Sequence, residues 1–370
     1  VVEAFTDWEG ADRVIEAGEG KASVRSGGVR IDLRVVDPTE FGAAVQYFTG
    51  SKDHNVDLRN RAIDRDLKLN EYGVFDVSAV EDEAESQRAG TRIAGESEAG
   101  VYDALDLPWI PPELRENRGE IEAAETGDLP ELVETSDVRG DLHVHTDFSD
   151  GNNTIEEMAE AAAERGDEYV CIADHATGPG MVGGVGLSDG ELRDQREEIA
   201  AVDAARDDIT VLAGVEANIT ADGGISVGDE VLEALDLVVA SPHAGLDGDG
   251  TDRLIAAAEH PEVDVIGHPT GRQLNRRPGL DVDVAAVAEA AADNDTALEV
   301  NANPRRLDLG GRQVTRAIDA GATIAIDTDA HRPESLAYRR FGAHTARRGW
   351  AEADDVLNTR SLAGLRAFLD

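Results

Sequence analysis

The sequence contains little cysteine, little lysine and no long apolar run. One cysteine, Cys171, stands among 370 residues, which excludes an intramolecular disulfide framework and a thiolate zinc cluster and fits a reducing interior. No apolar run approaches the roughly 18 residues that a membrane span requires, and no signal peptide opens the chain. These absences predict a soluble, cytoplasmic protein, expected as a monomer with no membrane partner.

Positive charge is scarce as well. The chain has 77 acidic against 34 basic residues, a formal net charge of −43, and only Lys21, Lys52 and Lys68 are lysines. Such a surface is typical of a salt-loving cytoplasm, where the Debye length falls to about 3 Å at 1 M salt. Because that screening is strong, the acidity neither excludes nor favours a nucleic-acid partner.

The composition changes near residue 118, and the two sides follow different patterns. Residues 119–137 are acidic and short of large apolar residues, as in a linker. After them, seven short apolar runs alternate with alanine-rich amphipathic segments, which predicts an α/β fold built as a parallel barrel. Before them, residues 29–35 alternate as a half-buried strand, and Asp37, Pro38 and Glu40 predict a helix that runs to Phe48.

Metal-ligand side chains recur at the predicted strand ends. His143 and His145 project from one face of the first strand, and an isolated pair of this kind is weak evidence for a metal. Asp150 follows the same strand. His175, Glu216, His243 and His268 lie in turn at the ends of the second to fifth strands, and Asp329 and His331 lie at the end of the seventh. Each residue alone is better explained as a capped strand end or a loop residue. The carboxyl ends of barrel strands converge, however, so the nine side chains together are expected to point into one small volume.

Nine imidazole and carboxylate ligands without cysteine suit zinc, manganese or iron, and they exceed the needs of one ion. Two or three clustered metals would activate water and clamp both oxygens of a phosphoryl displacement. The reaction class that this pattern predicts is phosphoester hydrolysis.

The motifs "HVHTDFSDG", "ADH", "GVEANI", "SPH", "GHPTGR" and "DTDAH" resemble those of the PHP domain, the polymerase and histidinol phosphatase superfamily, over Asp141 to about Gly349. The resemblance implies a distorted seven-stranded β/α barrel with a trinuclear site in which Glu216, His243 and Asp329 serve catalysis. The expected ligand sets are His143, His145, Glu216 and Asp329 for one metal; Glu216, His243 and His268 for a second; Asp150, His175 and His331 for the third. Arg272 and Arg305 are candidate phosphate contacts, with surface salt bridges as the alternative.

The first part of the chain, through "YFTGSKDHNVDLRNRAIDRDLKLNEYGVF", resembles the palm-to-thumb region of family X DNA polymerases. The resemblance implies the third catalytic carboxylate at Asp32, with Arg30 near the primer terminus. It implies nucleotide or DNA contacts at the following positions: Tyr47, Phe48, Gly50, Asn55 and Arg59. The alternatives are a helix break with a buried aromatic pair for "YFTGS" and a strand-face salt bridge for Asp32.

The family needs three palm carboxylates, and residues 1–31 supply no paired D-x-D on a strand. We therefore expect that the chain alone cannot polymerise and is the C-terminal part of a longer halophilic enzyme, in which dNTP and Mg²⁺ would bind the palm. The expected domains are a partial palm (1–45), a thumb (46–117), an acidic linker (118–138) and a PHP domain (139–370).

Three functions remain open at this point. The first is a DNA repair nuclease that uses Mn²⁺ or Zn²⁺ on gapped or 3′-recessed duplexes, as a 3′-5′ exonuclease, an abasic endonuclease or a 3′-phosphatase. The second is a small-molecule phosphatase of the histidinol phosphate kind. The third is a non-catalytic scaffold, which the complete ligand set disfavours.

Overall fold

The computed structural model describes residues 1–82, 86–181 and 184–369. The chain divides into two compact units, Val1–Leu129 and Pro130–Asp370. The division falls inside the segment 118–138 that the sequence predicts as a linker. No helix within the described ranges is both long enough and apolar enough to cross a bilayer.

The first unit contains two small antiparallel sheets and short helices. One sheet has the strands β1 (Arg13–Ala17), β2 (Lys21–Ser26) and β3 (Val29–Arg34), and the other has β4 (Leu67–Asn70), β5 (Gly73–Asp76) and β6 (Thr91–Ala94). The helices are α1 (Val2–Thr6), α2 (Phe41–Tyr47), α3 (Lys52–Ile63), α4 (Glu98–Asp103) and α5 (Glu120–Thr126). Asp37 accepts a hydrogen bond from the backbone N–H of Thr39 and opens a 3₁₀ turn that continues into α2, much as the sequence predicts.

Helix α5 lies within the predicted linker and is anchored in the core of the first unit. The side chains of His54, Tyr102 and Glu120 are fully buried. His54 Nδ1 lies 2.6 Å from Glu120 Oε1, and His54 Nε2 lies 3.0 Å from the Tyr102 hydroxyl. Because a buried hydrogen-bond chain of this kind orders every segment that contributes to it, this part of the linker is structured.

The second unit is built on one sheet of seven parallel strands. In chain order they are β7 (Gly140–Val144), β8 (Tyr169–Ile172), β9 (Thr210–Asn218), β10 (Leu237–Ser241), β11 (Val265–Ile266), β12 (Ala297–Asn301) and β13 (Ile324–Asp327). Their order in space is also sequential, and a bridge between Val144 and Ala330 brings the first strand next to the last. The sheet is therefore a nearly closed barrel, and the predicted fold class is confirmed.

Helices between the strands cover the barrel. They are α6 (Ile155–Ala163), α7 (Asp189–Ala204), α8 (Asp229–Leu232), α9 (Thr251–Ala258), α10 (Val284–Asp293), α11 (Gly311–Asp319), α12 (Arg339–Arg347) and α13 (Leu362–Leu369). Thr154 begins α6 with a capping box that Glu157 completes. Strand residues on the outer face, such as Val211, Val238 and Ile326, belong to the clusters packed with helix residues.

The inner face of the barrel changes from apolar to polar along the strands. Its amino-terminal half is a buried cluster that includes Leu212, Val239 and Ala297. Since side chains alternate along a strand, Glu216 and Glu299 lie on the same faces as Leu212 and Ala297, nearer the carboxyl ends. The apolar half holds the barrel together, and the polar half forms the site.

Candidate metal centre

The nine side chains that the sequence predicts as metal ligands come together at the carboxyl edge of the barrel. Among the described residues, three groups place ligand atoms within 4.8 Å of one another. They are His145, Asp150, His175 and His331; His143, His145 and Asp329; and His175, Glu216 and His243. His145 and His175 each belong to two groups, so the clusters share ligands.

Glu216 occupies the middle of the centre, and its side chain is 1% exposed. Its Oε1 lies 2.9 Å from His268 Nε2, 3.3 Å from His243 Nε2 and 3.4 Å from His143 Nε2. Its Oε2 lies 2.6 Å from His175 Nδ1. Two ligands about 2.1 Å from a tetrahedral ion are roughly 3.4 Å apart, so the separations from His243 and His143 suit shared coordination.

Asp150 and Asp329 complete the cluster on its more open side. Asp150 Oδ1 lies 3.1 Å from His331 Nε2 and 3.5 Å from His175 Nε2. Asp329 Oδ1 lies 3.3 Å from His145 Nε2. Each of these carboxylates therefore stands next to imidazoles of another barrel loop.

Buried polar groups that sequence reasoning missed hold the histidines from behind. His143 Nδ1 lies 2.8 Å from Glu299 Oε1, and His243 Nδ1 lies 2.8 Å from Asn218 Oδ1. The backbone N–H of His268 also donates to Glu299. Such partners fix the ring orientation and leave Nε2 facing the centre, as second partners of metal-bound histidines do.

Asp174 organises the loop that carries Asp150. Its carboxylate accepts hydrogen bonds from the backbone N–H and hydroxyl of Thr146, from the hydroxyl of Ser149 and from the Gln195 amide. Asp174 precedes His175 in the "ADH" motif, so its adjacency to a predicted ligand is the signal that could have identified it.

Many ligand atoms at the centre are buried and make no hydrogen bond within the described chain. They include both Glu216 carboxylate oxygens and these ring nitrogens: His143 Nε2, His145 Nδ1 and Nε2, His175 Nδ1, His243 Nε2, and His268 Nδ1 and Nε2. Unpaired buried polar atoms are costly, and native structures contain few of them. A set of imidazole and carboxylate atoms aimed at one volume fits divalent metal ions.

The pKa values of the histidines diverge because of these surroundings. Burial, reinforced by His331 and His175, lowers the pKa of His145 to about 3, and burial together with Arg306 lowers that of His268 to about 3. Burial acts in the same direction on His175, but Glu216 and Asp150 outweigh it and raise its pKa to about 10. Protons on His175 would have to leave as metal binds, so loading should release protons.

Two predicted ligands have left-handed backbone conformations, with φ of 24° at His268 and 52° at Asp329. Non-glycine residues rarely adopt positive φ, and such positions concentrate at functional sites. Here the backbone sets the direction in which both side chains enter the centre.

The two arginines predicted to contact phosphate differ in placement. Arg305 is exposed and lines a cavity that also reaches Asp150, Asp329 and His331. Arg272 is not among the lining residues of that cavity, because its guanidinium donates to the backbone carbonyls of Arg306 and Leu307. Arg272 therefore fixes the loop in this structure, and a phosphate contact by it stays a prediction.

Three predicted site residues of the first unit line a common cavity of about 500 Å³: Asp32, predicted as a catalytic carboxylate, and Arg30 and Phe48, predicted as nucleotide or DNA contacts. Arg30 Nε donates to Asp32 Oδ1 at 2.9 Å, so the alternative salt bridge is present. Phe48 is 53% exposed and packs edge to face against Tyr47 at 5.1 Å, so the aromatic pair is not fully buried.

Gly50 and Asn55 shape the "YFTGS" turn. Gly50 has φ of 88°, and a Cβ there would lie 2.5 Å from Arg115 Cβ, which explains the glycine. Asn55 Nδ2 donates to Ser51 O at 3.2 Å, and its Oδ1 accepts from Gln46 at 2.8 Å. Arg59 follows one turn later on α3 and donates to Asn55 O. The side chain of Asn55 therefore serves the turn, and a DNA contact by it stays a prediction.

Metal binding at this centre should stabilise the second unit. Ligand at 100 times its dissociation constant adds about 2.7 kcal/mol to the free energy of unfolding. We expect thermal unfolding of chelator-treated protein to shift to higher temperature on addition of Mn²⁺ or Zn²⁺. E216Q should lose most of this shift, and E289Q, at an exposed site on α10, should keep it. Identical unfolding with and without metal would contradict a metal centre.

Replacing Glu299 tests whether it orients His143. In E299Q the charge behind the imidazole is lost while the side-chain shape is kept, so metal affinity should fall roughly 10- to 100-fold. Competition with a chelator of known affinity measures this change, with E289Q as the control. Unchanged affinity in E299Q would show that its contact to His143 is irrelevant to the metals.

Comparison with protein families assigns both parts of the chain. Residues 44–116 match the model described as "DNA polymerase beta thumb", and residues 141–261 match the model of the PHP domain. A solved histidinol phosphate phosphatase of Lactococcus lactis, in complex with zinc, L-histidinol and phosphate, is similar at 20% identity and a TM-score of 0.41. That similarity covers 56% of this chain and 93% of the other. It is too weak to bear on function.

Two known proteins are similar to this chain over more residues than either family model covers. The DNA polymerase/3′-5′ exonuclease PolX of Bacillus subtilis is 39% identical over 362 residues, which cover 96% of this chain and 61% of PolX. The chain thus spans about three fifths of the length of that relative. A probable phosphatase of Caldanaerobacter subterraneus subsp. tengcongensis is 32% identical over 207 residues, 52% of this chain and 75% of that protein. The predicted family is confirmed: the chain belongs to the family X DNA polymerases that carry a PHP domain.

Proposed function

We propose that the second unit is a metal-dependent phosphoesterase that removes nucleotides from the 3′ ends of DNA. The observation that carries this proposal is the cluster of buried ligand atoms around Glu216 that make no hydrogen bond, because clustered divalent cations would satisfy the carboxylate and the imidazoles together. Clustered cations beside an open cavity are the arrangement that phosphoester hydrolysis uses. The 3′-5′ exonuclease activity in the name of the PolX relative supports a DNA 3′ end as the substrate.

In this reaction water adds to phosphorus, the bond from phosphorus to the upstream 3′ oxygen breaks, and that oxygen takes up a proton. Divalent ions, when bound, would activate the water and offset the charge that develops on the phosphate. Glu216 and Asp329 would hold ions on the closed side, and Asp150 and His331 on the open side. Arg306, whose Nε lies 3.3 Å from Asp329 Oδ2, would add a fixed positive charge at the edge of the centre.

The division of ligands among ions stays part of the proposal. We assign His143, His145, Glu216 and Asp329 to one metal, Glu216 with His243 and His268 to a second, and Asp150, His175 and His331 to a third. Mn²⁺ and Zn²⁺ both accept this donor set. Glu216 would bridge two ions, in keeping with its contacts from both carboxylate oxygens.

The first unit would position the DNA. We propose that its thumb domain grips a gapped or 3′-recessed duplex, and that dNTP and Mg²⁺ bind the palm only in a longer protein that supplies the two further carboxylates. Without those carboxylates, this chain should not extend a primer. We place the enzyme as a monomer in a halophilic cytoplasm, where its charge of −43 is screened.

A second candidate is a small-molecule phosphatase. The 32% identity to a protein named as a probable phosphatase favours it, since that match covers 52% of this chain and 75% of the other protein. Turnover of histidinol phosphate, set against turnover of a labelled 3′-recessed duplex, separates the two functions. We expect the duplex to be the better substrate by kcat/KM.

The variants H145A and E216A should abolish 3′ to 5′ hydrolysis of the labelled duplex, because His145 belongs to two of the ligand groups and the Glu216 carboxylate lies against four of the histidines. H260A is the matched histidine control, since His260 lies outside the metal-ligand groups and is partly exposed. Circular dichroism should show that all three variants stay folded. Digestion at the wild-type rate by H145A or E216A would contradict the proposed metal-dependent nuclease function.

A further inference from the structure

A cavity of about 540 Å³ opens beside the metal centre and has an unusual lining for so acidic a chain. Its walls include three arginines, Arg305, Arg306 and Arg332, together with the predicted ligands Asp150 and His331. The remaining lining residues are polar or aromatic: Asn152, Gln273, Asn303, Asp329, Ser335 and Tyr338. We call this cavity the arginine pocket.

The loop that presents Arg305 and Arg306 is held by several backbone contacts. Arg272 donates through Nε to Arg306 O at 2.9 Å and through Nη2 to Leu307 O. Leu274 N donates to Arg305 O at 2.7 Å. A loop fixed in this way loses little entropy when a ligand binds, so the pocket is pre-organised.

Two of these arginines have no carboxylate to neutralise them. Arg306 contacts Asp329, whereas neither Arg305 nor Arg332 forms an ion pair within 4 Å in the parts of the chain that the structure describes. Both side chains belong to exposed residues at the mouth, beside Asp150 and His331. In a chain with 77 acidic residues, two unneutralised guanidinium groups at one mouth indicate an anionic ligand.

We propose that Arg305 and Arg332 bind the phosphate that precedes the scissile one in the DNA strand. The inference rests on the proposed 3′-nuclease function and deepens it. With the scissile phosphate at the metal centre, a strand that continues into the arginine pocket brings its next phosphate to these two guanidinium groups. The enzyme thereby selects a polynucleotide end over a molecule with a single phosphate.

The rest of the lining suits a nucleotide. Tyr338 offers an aromatic face, and Asn152, Gln273 and Asn303 offer amide groups. Stacking on an aromatic side chain accepts any base and contributes affinity without sequence preference. A small sugar or amino-alcohol phosphate would leave this part of the pocket empty.

The test uses two thymidine trinucleotides that differ in one charge. One has phosphodiesters at both linkages, and in the other the linkage upstream of the scissile one is an uncharged methylphosphonate. Wild-type protein with Mn²⁺ should cleave the fully charged trinucleotide with a kcat/KM about tenfold higher, as expected for charge-assisted hydrogen bonds. In the R305M/R332M double variant this ratio should fall to about one, because neither trinucleotide can then receive the two guanidinium contacts at the upstream linkage.

R312M is the matched control, because Arg312 is exposed on α11 outside the pocket and its loss changes the charge in the same way. It should keep the wild-type ratio. A wild-type ratio near one, or a ratio that survives in the double variant, would overturn the proposal.

A binding measurement separates this inference from the function on which it rests. Calorimetry with the same trinucleotides, made with a slowly cleaved phosphorothioate at the scissile linkage, should give the same preference for the charged upstream linkage. If wild-type protein cleaves neither trinucleotide, the nuclease proposal fails, and the calorimetric preference still decides whether the arginine pocket binds the second phosphate. Equal binding of both trinucleotides overturns it.

Discussion

The structure of the second unit depends on a buried carboxylate surrounded by imidazoles. Glu216 is almost fully inaccessible, and ring nitrogens of His143, His175, His243 and His268 lie within 2.6–3.4 Å of its oxygens. Taking a carboxylate out of water costs several kcal/mol unless positive charge accompanies it. The histidines, whose pKa values move in opposite directions, cannot all supply that charge as protons. Divalent cations would satisfy the carboxylate and the neutral imidazoles together.

The barrel can hold such a buried polar cluster because its interior is divided into an apolar half and a polar half. The apolar half, with Leu212, Val239 and Ala297, packs as a core, and the polar half at the carboxyl ends of the strands can then be given to ligands. Glu299 and Asp174 lie behind the ligands and fix their directions through buried hydrogen bonds. The arginine pocket continues from this polar half to the surface. Although the chain has 77 acidic against 34 basic residues, three arginines line this pocket and place positive charge where a phosphate would enter.

Much of the fold and the ligand set could be predicted from the sequence because both follow simple rules. Alternating apolar runs and helices predict a parallel barrel, and residues at strand ends must converge, so His143 and Glu216 could be paired without a structure. The roles of Glu299, Arg306 and Arg272 could not be predicted. Glu299 lies within a strand like many structural acids, and only the tertiary contact to His143 distinguishes it. Arg272 and Arg305 cannot be distinguished in sequence. In the structure, it is the guanidinium of Arg272 that donates to the carbonyls of residues 306 and 307. Asn55 matches a DNA-contact position, yet its amide is used by the adjacent turn.

The proposed activity requires that clustered divalent metals bind around Glu216. Anomalous diffraction from crystals of the metal-loaded chain, collected on both sides of the absorption edge of Mn or Zn, tests it most directly. We expect two or three peaks at the barrel mouth, each about 2.0–2.3 Å from imidazole nitrogens or carboxylate oxygens. One of these peaks should lie next to Glu216. The absence of any peak beside Glu216, with metal present in the crystal, would contradict it.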